Sequence, residues 1–332
     1  MRWTVTLREG HKRWVADAVV GAILLGAIVL TGCDAPRSWG SDAGETGGDA
    51  AAVAAARVRT EIPTVTTPPE PAPPRVVTYD EAEAAFRSGR YGEAAQLFST
   101  YVETKPENPW GHYMLGLSAW KSRNHARAEE AFERALALDP AHGKSYLNLA
   151  RVLLETARPS EALSRVDSAI ALDSLSHVAY RLRGRALGAL DRIDEAVDAY
   201  RHAITLNDRD AWSMNNLGLL YLTEGWPEEA LYPLARAVEL DSTVAVFLNN
   251  LGMAVEHTGR FGLATETYRR AVTADSTHAK AAANLARVEG RTDDPLAVPV
   301  DLAVLAQEFS SWIDGWRQPE VTVARQEEPQ LP

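Results

Sequence analysis

Small and apolar residues recur along this chain with a period of 34 residues from Arg75 onward. Six blocks, which begin at residues 75, 109, 143, 177, 211 and 245, align without an insertion or a deletion. Their pattern predicts two helices in each block, helix A at block positions 1–14 and helix B at block positions of about 18–31. The predicted fold class is therefore all-α, with helical hairpins that follow one another along the chain.

Three block positions hold small residues. Position 8 is glycine in four of the six blocks, position 20 is alanine in all six, and position 27 is alanine in five. Glycine inside a helix is unfavourable by about 1 kcal/mol relative to alanine, so its recurrence indicates that two helix backbones approach closely. A single hairpin cannot cover its own apolar face, whereas stacked hairpins can, and this predicts a solenoid.

The small residues at positions 8, 20 and 27, the Leu-Gly pair at positions 7–8, and the closing prolines Pro106 and Pro140 at position 32 resemble the tetratricopeptide repeat (TPR) family. This resemblance covers residues 75–289 and implies a right-handed TPR superhelix. The implied repeats are 75–108, 109–142, 143–176, 177–210, 211–244 and 245–278, with a closing helix at 279–289. The resemblance also implies a concave groove lined by helix A positions 2, 5, 6, 9, 12 and 13, where protein or peptide partners are expected to bind.

Asparagines occupy two of these groove positions in several blocks. An amide offers two donors and one acceptor, so evenly spaced amides can bond the backbone of an extended peptide of any sequence. The series is similar to an asparagine ladder known in the TPR family. The other interpretation, that these amides satisfy only local polar groups, remains open. The candidate peptide-binding asparagines are Asn148, Asn215, Asn216, Asn249, Asn250 and Asn284.

Aromatic and basic residues fill the earlier part of the predicted groove. Aromatic residues and arginine are the types most often found at the energetic centres of protein interfaces. A merely solvated basic face is the competing interpretation. Capture of a C-terminal carboxylate is a minor option, because Leu182 stands where the carboxylate clamp of this family has another asparagine. The candidates are Trp110, Tyr113 and Trp120, followed by Lys144, Arg151, Arg181 and Arg185.

Residues 1–33 have the layout of a secretory signal, with basic residues followed by an apolar run from Ala18 to Leu30. The run ends in Leu30-Thr31-Gly32-Cys33, which resembles the lipobox of bacterial lipoproteins and makes Cys33 the predicted lipidation site. An uncleaved single membrane span is the alternative. Either way, the rest of the chain is predicted to lie in the cell envelope on the periplasmic side, at an inner or outer membrane that the sequence does not decide.

The segments on either side of the repeats have different compositions. Residues 34–74 are rich in Pro, Ala and Gly and are predicted to be a disordered tether. After the repeats, we predict a linker at 290–300, an amphipathic helix at 301–316 with Phe309, Trp312 and Ile313 on its apolar stripe, and a disordered tail at 317–332. Three uses of this helix remain open. They are docking onto the chain's own solenoid, which is favoured, engaging a partner or the groove, and lying on a membrane.

Charge and motif content exclude several classes of function. The chain carries 45 acidic and 34 basic residues, a net charge of −11, which argues against nucleic-acid binding. Its single cysteine cannot form an internal disulfide or a cysteine-based metal site. The sequence contains none of the glycine-rich nucleotide, zinc-protease or serine-hydrolase motifs. We therefore predict that it is not an enzyme and uses no metal, no cofactor and no small-molecule substrate.

The function predicted from these features is that of a lipid-anchored cell-envelope scaffold or adaptor. Its protein or peptide partners would bind in the concave groove of the superhelix. The alternative is a structural subunit of an envelope complex, such as a pilus, secretion or cell-wall machinery, without a free peptide ligand.

Overall fold

The structure, a computed structural model, describes residues 76–317, which form fourteen α-helices and no β-strand. The predicted all-α fold is therefore confirmed for this part of the chain. The helices are α1 (Tyr79–Arg87), α2 (Tyr91–Thr104), α3 (Pro109–Lys121), α4 (His125–Leu138), α5 (Gly143–Glu155), α6 (Pro159–Leu172), α7 (His177–Ala189), α8 (Ile193–Leu206), α9 (Ala211–Thr223), α10 (Pro227–Leu240), α11 (Ala245–His257), α12 (Phe261–Ala274), α13 (Ala279–Val288) and α14 (Leu302–Arg317).

The helix boundaries follow the sequence period. The odd-numbered helices from α3 to α13 start at residues 109, 143, 177, 211, 245 and 279, which are the first residues of successive 34-residue blocks. They are the A helices, and the even-numbered helices from α2 to α12 are the B helices. The first A helix differs from the prediction, because α1 begins at Tyr79 and not at residue 75. Thr78 ends the extended segment there by accepting a hydrogen bond from the Glu81 N–H through its Oγ1 at 3.2 Å.

The small residues at position 8 make room for a large side chain of the same hairpin. A Cβ added to Gly218 would lie 2.4 Å from Cγ of Leu234, and one added to Gly252 would lie 2.6 Å from the ring of Tyr268. Both distances are far inside van der Waals contact, so only glycine fits at these positions. The position 20 alanines are all completely buried in the same helix–helix contacts. The close approach predicted from the glycines is therefore present within each of these hairpins.

The A and B helices lie on different sides of the solenoid. Each A helix from α1 to α11 contacts the next A helix, whereas within residues 76–317 no B helix contacts another B helix. Because the A helices are close together and the B helices are spread apart, the A helices form the inner wall and the B helices form the outer wall. The side-chain surface of the inner wall is called the groove below.

The helix after the repeats docks onto the outer wall. Helix α14 spans Leu302–Arg317, one residue later at each end than predicted, and packs against α10 and α8. Phe309 on its apolar stripe is 1% exposed, and the Trp312 ring stacks at 4.4 Å on Tyr232 of α10. Arg317 holds its end by donating to the carbonyl of Thr205 at 3.2 Å. Of the three uses left open by the sequence, the structure shows docking onto the chain's own solenoid.

The linker between α13 and α14 is fixed near the start of α12 by three hydrogen bonds, one between backbone groups and two between a side chain and the backbone. The Gly262 N–H donates to Asp293 Oδ1 at 2.7 Å, and the Asp294 N–H donates to the Gly259 carbonyl at 2.8 Å. Arg260 Nε donates to the Val298 carbonyl at 2.6 Å. These bonds direct the chain from the closing helix back across the outer wall.

Several predicted features fall on residues that the structure does not describe. The signal sequence, Cys33, the tether at 34–74 and the tail from residue 318 onward all lie outside the described range. Among the helices of residues 76–317, none combines the length and the apolar character needed to span a membrane.

Candidate functional site

The structure places all of the candidate peptide-binding residues on the inner wall. Five consecutive A helices and the closing helix carry them, so their side chains follow one another along the groove. Their order is Trp110, Tyr113 and Trp120 on α3, Lys144, Asn148 and Arg151 on α5, Arg181 and Arg185 on α7, Asn215 and Asn216 on α9, Asn249 and Asn250 on α11, and Asn284 on α13.

All five asparagines on α9, α11 and α13 bond to one another. Asn250 Nδ2 donates to Asn215 Oδ1 at 2.9 Å, and Asn284 Nδ2 donates to Asn249 Oδ1 at 3.0 Å. Within each doubled pair, Asn249 Nδ2 donates to Asn250 Oδ1 at 3.3 Å and Asn215 Nδ2 donates to Asn216 Oδ1 at 3.4 Å. We call this continuous series across α13, α11 and α9 the amide chain.

The amide chain limits what these asparagines can offer to a ligand. Asn215 and Asn250 are only 2% and 6% exposed, and their principal donors and acceptors are already paired. Asn216 differs, because it is partly exposed and its Nδ2 donates to no group within residues 76–317. Of the two interpretations left open by the sequence, local polar pairing accounts for Asn215, Asn249 and Asn250, and Asn216 remains the best placed amide for a ligand.

The amide chain ends in an ion pair at the closing helix. Arg287 Nη2 donates to Asn284 Oδ1 at 3.0 Å and to Glu256 Oε2 at 2.8 Å. The buried Glu256 also accepts a hydrogen bond from the Tyr268 hydroxyl at 2.8 Å. Arg287 is therefore occupied within the fold, and this end of the groove is held rigidly between α11, α12 and α13.

Asn148 has a different set of partners from the asparagines of the amide chain. Its Nδ2 donates to the Tyr113 hydroxyl at 3.3 Å and to the Lys144 carbonyl at 3.0 Å, and its Oδ1 accepts from Arg151 at 2.5 Å. Burial raises the pKa of Tyr113 although the Asn148 hydrogen bond acts to lower it, so its hydroxyl stays protonated. Asn148 thus serves to orient Tyr113 and Arg151 toward each other.

Of the four basic candidates, one forms an ion pair and three do not. Arg181 Nη1 donates to Asp210 Oδ1 at 2.5 Å, so the fold itself already uses this arginine. Lys144, Arg151 and Arg185 form no ion pair with any carboxylate of residues 76–317. Burial lowers the pKa of Arg151, and the nearby charges of Arg181 and Arg185 lower it further. Arg151, Arg181 and Arg185 are therefore close enough to repel one another.

The partner of Arg181 was missed by the sequence analysis. Asp210 is buried at the start of α9 and accepts hydrogen bonds from Ser213 Oγ at 2.6 Å and from its N–H at 3.3 Å, and His177 Nδ1 lies 2.9 Å away. Burial acts to raise the pKa of Asp210, but the charge of Arg181 and these hydrogen bonds outweigh it, and the pKa falls below its usual value of 3.8. An aspartate directly before a predicted helix is a signal of this N-cap role.

Two tryptophans at the same block position present open faces in the groove. Trp110 on α3 and Trp212 on α9 are 46% and 49% exposed. Each is supported from one side by another ring, Trp110 by Tyr113 at 5.6 Å and Trp212 by Phe247 at 4.8 Å. The sequence analysis named Trp110 but missed Trp212, although its spacing of three full blocks was visible.

The aromatic end of the groove contains a buried neutral histidine. The ring of His142 packs at 4.7 Å from Trp110 and at 4.9 Å from Tyr113, and its Nδ1 lies 2.7 Å from Ser145 Oγ. Burial lowers its pKa, so the imidazole is uncharged at neutral pH. His142 therefore adds no positive charge to the aromatic end of the groove.

The chemistry of the groove is that of a binding surface. It offers exposed aromatic faces, unpaired cations and the amide of Asn216. Within residues 76–317, no group of three or more His, Cys, Asp or Glu side chains is arranged to hold a metal ion.

Comparison with known proteins gives one family and a group of similar folds. The chain matches the family described as tetratricopeptide repeat over residues 77–109, 113–178 and 181–245. Its fold is similar to that of a thermophilic TPR protein of Thermus thermophilus, at 21% identity and a TM-score of 0.50, covering 55% of this chain and 98% of that chain. It is also similar to a tetratricopeptide repeat protein of Parabacteroides merdae, at 13% identity and a TM-score of 0.56, covering 63% of this chain and 82% of that one. A third similar structure is the APC/C hetero-tetramer Cut9-Hcn1, at 18% identity and a TM-score of 0.56, with 71% of this chain and 46% of that chain covered. No curated protein sequence matches this chain.

Proposed function

Because this chain belongs to the tetratricopeptide repeat family, we propose that it is a lipid-anchored scaffold of the cell envelope that binds segments of partner proteins along its groove. Proteins of this family are generally non-enzymatic scaffolds with protein or peptide partners. Repeat solenoids provide such surfaces because their curvature creates an extended concave face.

The observation that carries the groove proposal is the exposure of Trp110 and Trp212 on the inner wall, while α14 covers the outer wall. The helix that could have filled the groove is docked elsewhere, on α8 and α10. Exposed tryptophans that are held rigid by neighbouring rings lose little conformational entropy when a partner covers them. This supports binding of an extended segment across α3 to α9.

A selection of random peptides displayed on phage tests the groove directly. The full-length protein is the bait, and Trp110→Ala/Trp212→Ala is the matched bait with both tryptophan faces removed. Trp226→Ala is the control, because Trp226 is also partly exposed but caps the start of α10 and does not lie on an A helix. We expect peptides that bind the wild type and the Trp226→Ala protein but bind the double variant at least about tenfold more weakly. Equal binding to all three proteins would refute the groove as the site.

The predicted lipid anchor has a separate test. Cells that express the protein are fed a palmitate analogue that can be labelled, and the wild type is compared with Cys33→Ser. We expect label in the wild type only, and release of the variant from the membrane fraction. Label in neither protein, with both remaining in the membrane fraction, would support the uncleaved membrane span.

A protein recovered only within a stoichiometric complex, with its groove covered, would favour the structural subunit.

A further inference from the structure

We propose that the middle of the groove is an acceptor for acidic peptide segments, with Lys144, Arg151 and Arg185 as the side chains that bind their carboxylates. This inference rests on the proposed function and names the chemical class of the partner. The ligand is an extended segment of another protein in which an apolar residue is followed by Asp or Glu.

The first argument is the contrast between arginines inside and outside the groove. At the starts of the B helices, Arg158 and Arg192 each pair with a glutamate three residues later, at 2.6 Å in both cases. The chain has more acidic than basic residues, so carboxylate partners are abundant. Arg151 is partly buried and has no such partner in the described structure, whereas charged side chains that lose solvent are normally paired. Lys144 and Arg185 are exposed and also form no ion pair there, so all three cations are accessible to an external carboxylate.

Arg151 is also held close to Arg181 and Arg185 against the repulsion between their charges. Arg151 is partly buried, and Asn148 fixes its guanidinium by accepting the hydrogen bond at 2.5 Å. Burial and the charges of Arg181 and Arg185 both disfavour its protonated form, as the lowered pKa shows. A bound carboxylate would relieve this repulsion, and a planar guanidinium can bind a carboxylate through two parallel hydrogen bonds.

The carboxylates near Lys144, Arg151 and Arg185 already have other partners. Glu155 accepts a hydrogen bond from Trp120 Nε1 at 3.0 Å and lies 3.1 Å from His125 Nε2. Asp210 is buried beneath Arg181, His177 and Ser213. The charge of Glu155 does favour the protonated form of Arg151. Neither carboxylate forms a hydrogen bond or an ion pair with Lys144, Arg151 or Arg185 in the described structure, so an external carboxylate would displace no direct contact there.

Trp110, the aromatic neighbour of these cations, sets the order of apolar and acidic residues along the bound ligand. Lys144 Nζ lies 5.5 Å from the ring of Trp110, so the exposed aromatic face adjoins the cations directly. Packed helices are about 10 Å apart, and an extended chain advances about 3.3 Å per residue, which gives about three residues per repeat. The expected motif is an apolar residue over Trp110, with acidic residues about three and about six positions away over α5 and α7.

The test measures binding of labelled peptides to the full-length protein by fluorescence anisotropy. One peptide carries the apolar residue with glutamates at the expected spacing, and a second has glutamine in place of every glutamate. We expect the glutamate peptide to bind at least about tenfold more tightly at low ionic strength, and its advantage to shrink as salt is added. Arg151→Gln/Arg185→Gln should abolish the advantage. Arg209→Gln/Arg270→Gln, which removes two exposed arginines outside the groove, should preserve it.

The outcomes separate this inference from the proposed function. If both peptides bind equally and Trp110→Ala/Trp212→Ala weakens both, the groove binds peptides but the acidic preference is wrong. If neither peptide binds and the phage selection yields no groove-dependent sequences, both proposals fail. Tighter binding of the glutamate peptide after removal of residues 318–332, which contain Glu327 and Glu328, would overturn the assignment to a partner. The chain's own end would then be the occupant. Circular dichroism of each variant verifies that it is folded, and the salt dependence of the wild type gives a result that needs no variant.

Discussion

Asn250 on α11 donates a hydrogen bond from Nδ2 to Oδ1 of Asn215 on α9 over 2.9 Å, in the interface between two successive repeats. The same relationship holds one repeat further on, where Asn284 donates to Asn249 at 3.0 Å. In both cases, an asparagine at block position 6 bonds to the asparagine at position 5 of the preceding block. The doubled asparagines therefore fix the register between neighbouring A helices.

We predict that Asn250→Ala lowers the free energy of unfolding by about 1–3 kcal/mol, because it leaves the buried Oδ1 of Asn215 without its donor. Urea denaturation followed by circular dichroism measures this loss. In a double-mutant cycle, Asn215→Ala and Asn250→Ala should be coupled by about 0.5–3 kcal/mol. The control is Lys280→Ala, at an exposed residue of α13 that forms no ion pair in the described structure, and it should change stability by less than about 1 kcal/mol. Strictly additive losses at positions 215 and 250 would contradict the pairing.

The periodic part of the fold could be predicted from the sequence, whereas the pairing within the groove could not. A period of 34 with small residues in phase determines where the A helices start, and six of them start at the predicted residues. The same period places Asn250 on the groove side of α11. It does not distinguish an amide that bonds a ligand from one that bonds Asn215, because that choice depends on the distance between adjacent helices.

Features without a repeat counterpart were harder to predict. The sequence around Phe309 and Ile313 predicted the apolar stripe of α14, but it did not predict that this helix docks on α8 and α10. An amphipathic pattern identifies the buried face of a helix and carries no information about the surface that covers it. Asp210 was overlooked for a related reason, since its partners Arg181 and His177 lie on α7 and meet it only when α7 packs beside α9, the helix that Asp210 caps.

The position 8 glycines lead to a prediction that runs against helix propensity. Alanine at position 218 would place its Cβ 2.4 Å from Leu234, so Gly218→Ala should destabilise the protein by about 1–3 kcal/mol through overpacking. Gly188→Ala is the matched control, because a Cβ there would meet Leu220 at an ordinary 3.5 Å. That substitution should leave stability unchanged or raise it by up to about 1 kcal/mol through helix propensity. The thermal midpoint of Gly218→Ala should fall, and that of Gly188→Ala should rise or stay unchanged. A stabilised Gly218→Ala would show that the hairpin is packed more loosely than described.

Helix α14 should contribute to the stability of the repeats that it covers. Phe309→Ala removes a side chain that is 1% exposed and should lower the free energy of unfolding by about 3–5 kcal/mol, if α14 unfolds together with α8 and α10. The control Val304→Ala lies on the same helix but is 51% exposed, and should change stability by less than about 0.5 kcal/mol. Hydrogen exchange should increase in α14 and α10 of the first variant. If exchange increased throughout the solenoid to the same extent, α14 would be part of one cooperative unit and not a local cover.

The buried carboxylate of Asp210 should give the protein a characteristic loss of stability in acid. Arg181 and the hydrogen bonds of Ser213 and His177 hold its pKa below the usual 3.8 in the folded state, so the unfolded chain binds this proton more readily. The resulting stabilisation is fully present above pH 3.8 and declines as the pH falls below that value through the folded-state pKa. Asp210→Asn removes the charge and keeps the shape, so the variant should be less stable than the wild type by about 1–3 kcal/mol at neutral pH.

The difference between wild type and Asp210→Asn isolates this group from all other carboxylates that titrate in acid. Urea denaturation of both proteins at a series of values from about pH 7 to about pH 2.5 should show a constant difference that narrows only at the acidic end. Asp194→Asn, at an exposed carboxylate on α8 without an ion pair in the described structure, should differ from the wild type by less than about 1 kcal/mol throughout. If the difference in the free energy of unfolding between wild type and Asp210→Asn widened in acid, the folded state would have to raise the pKa of Asp210. Burial would then outweigh Arg181 at this site, and the ion pair between α7 and the start of α9 would not stabilise the contact between these two helices.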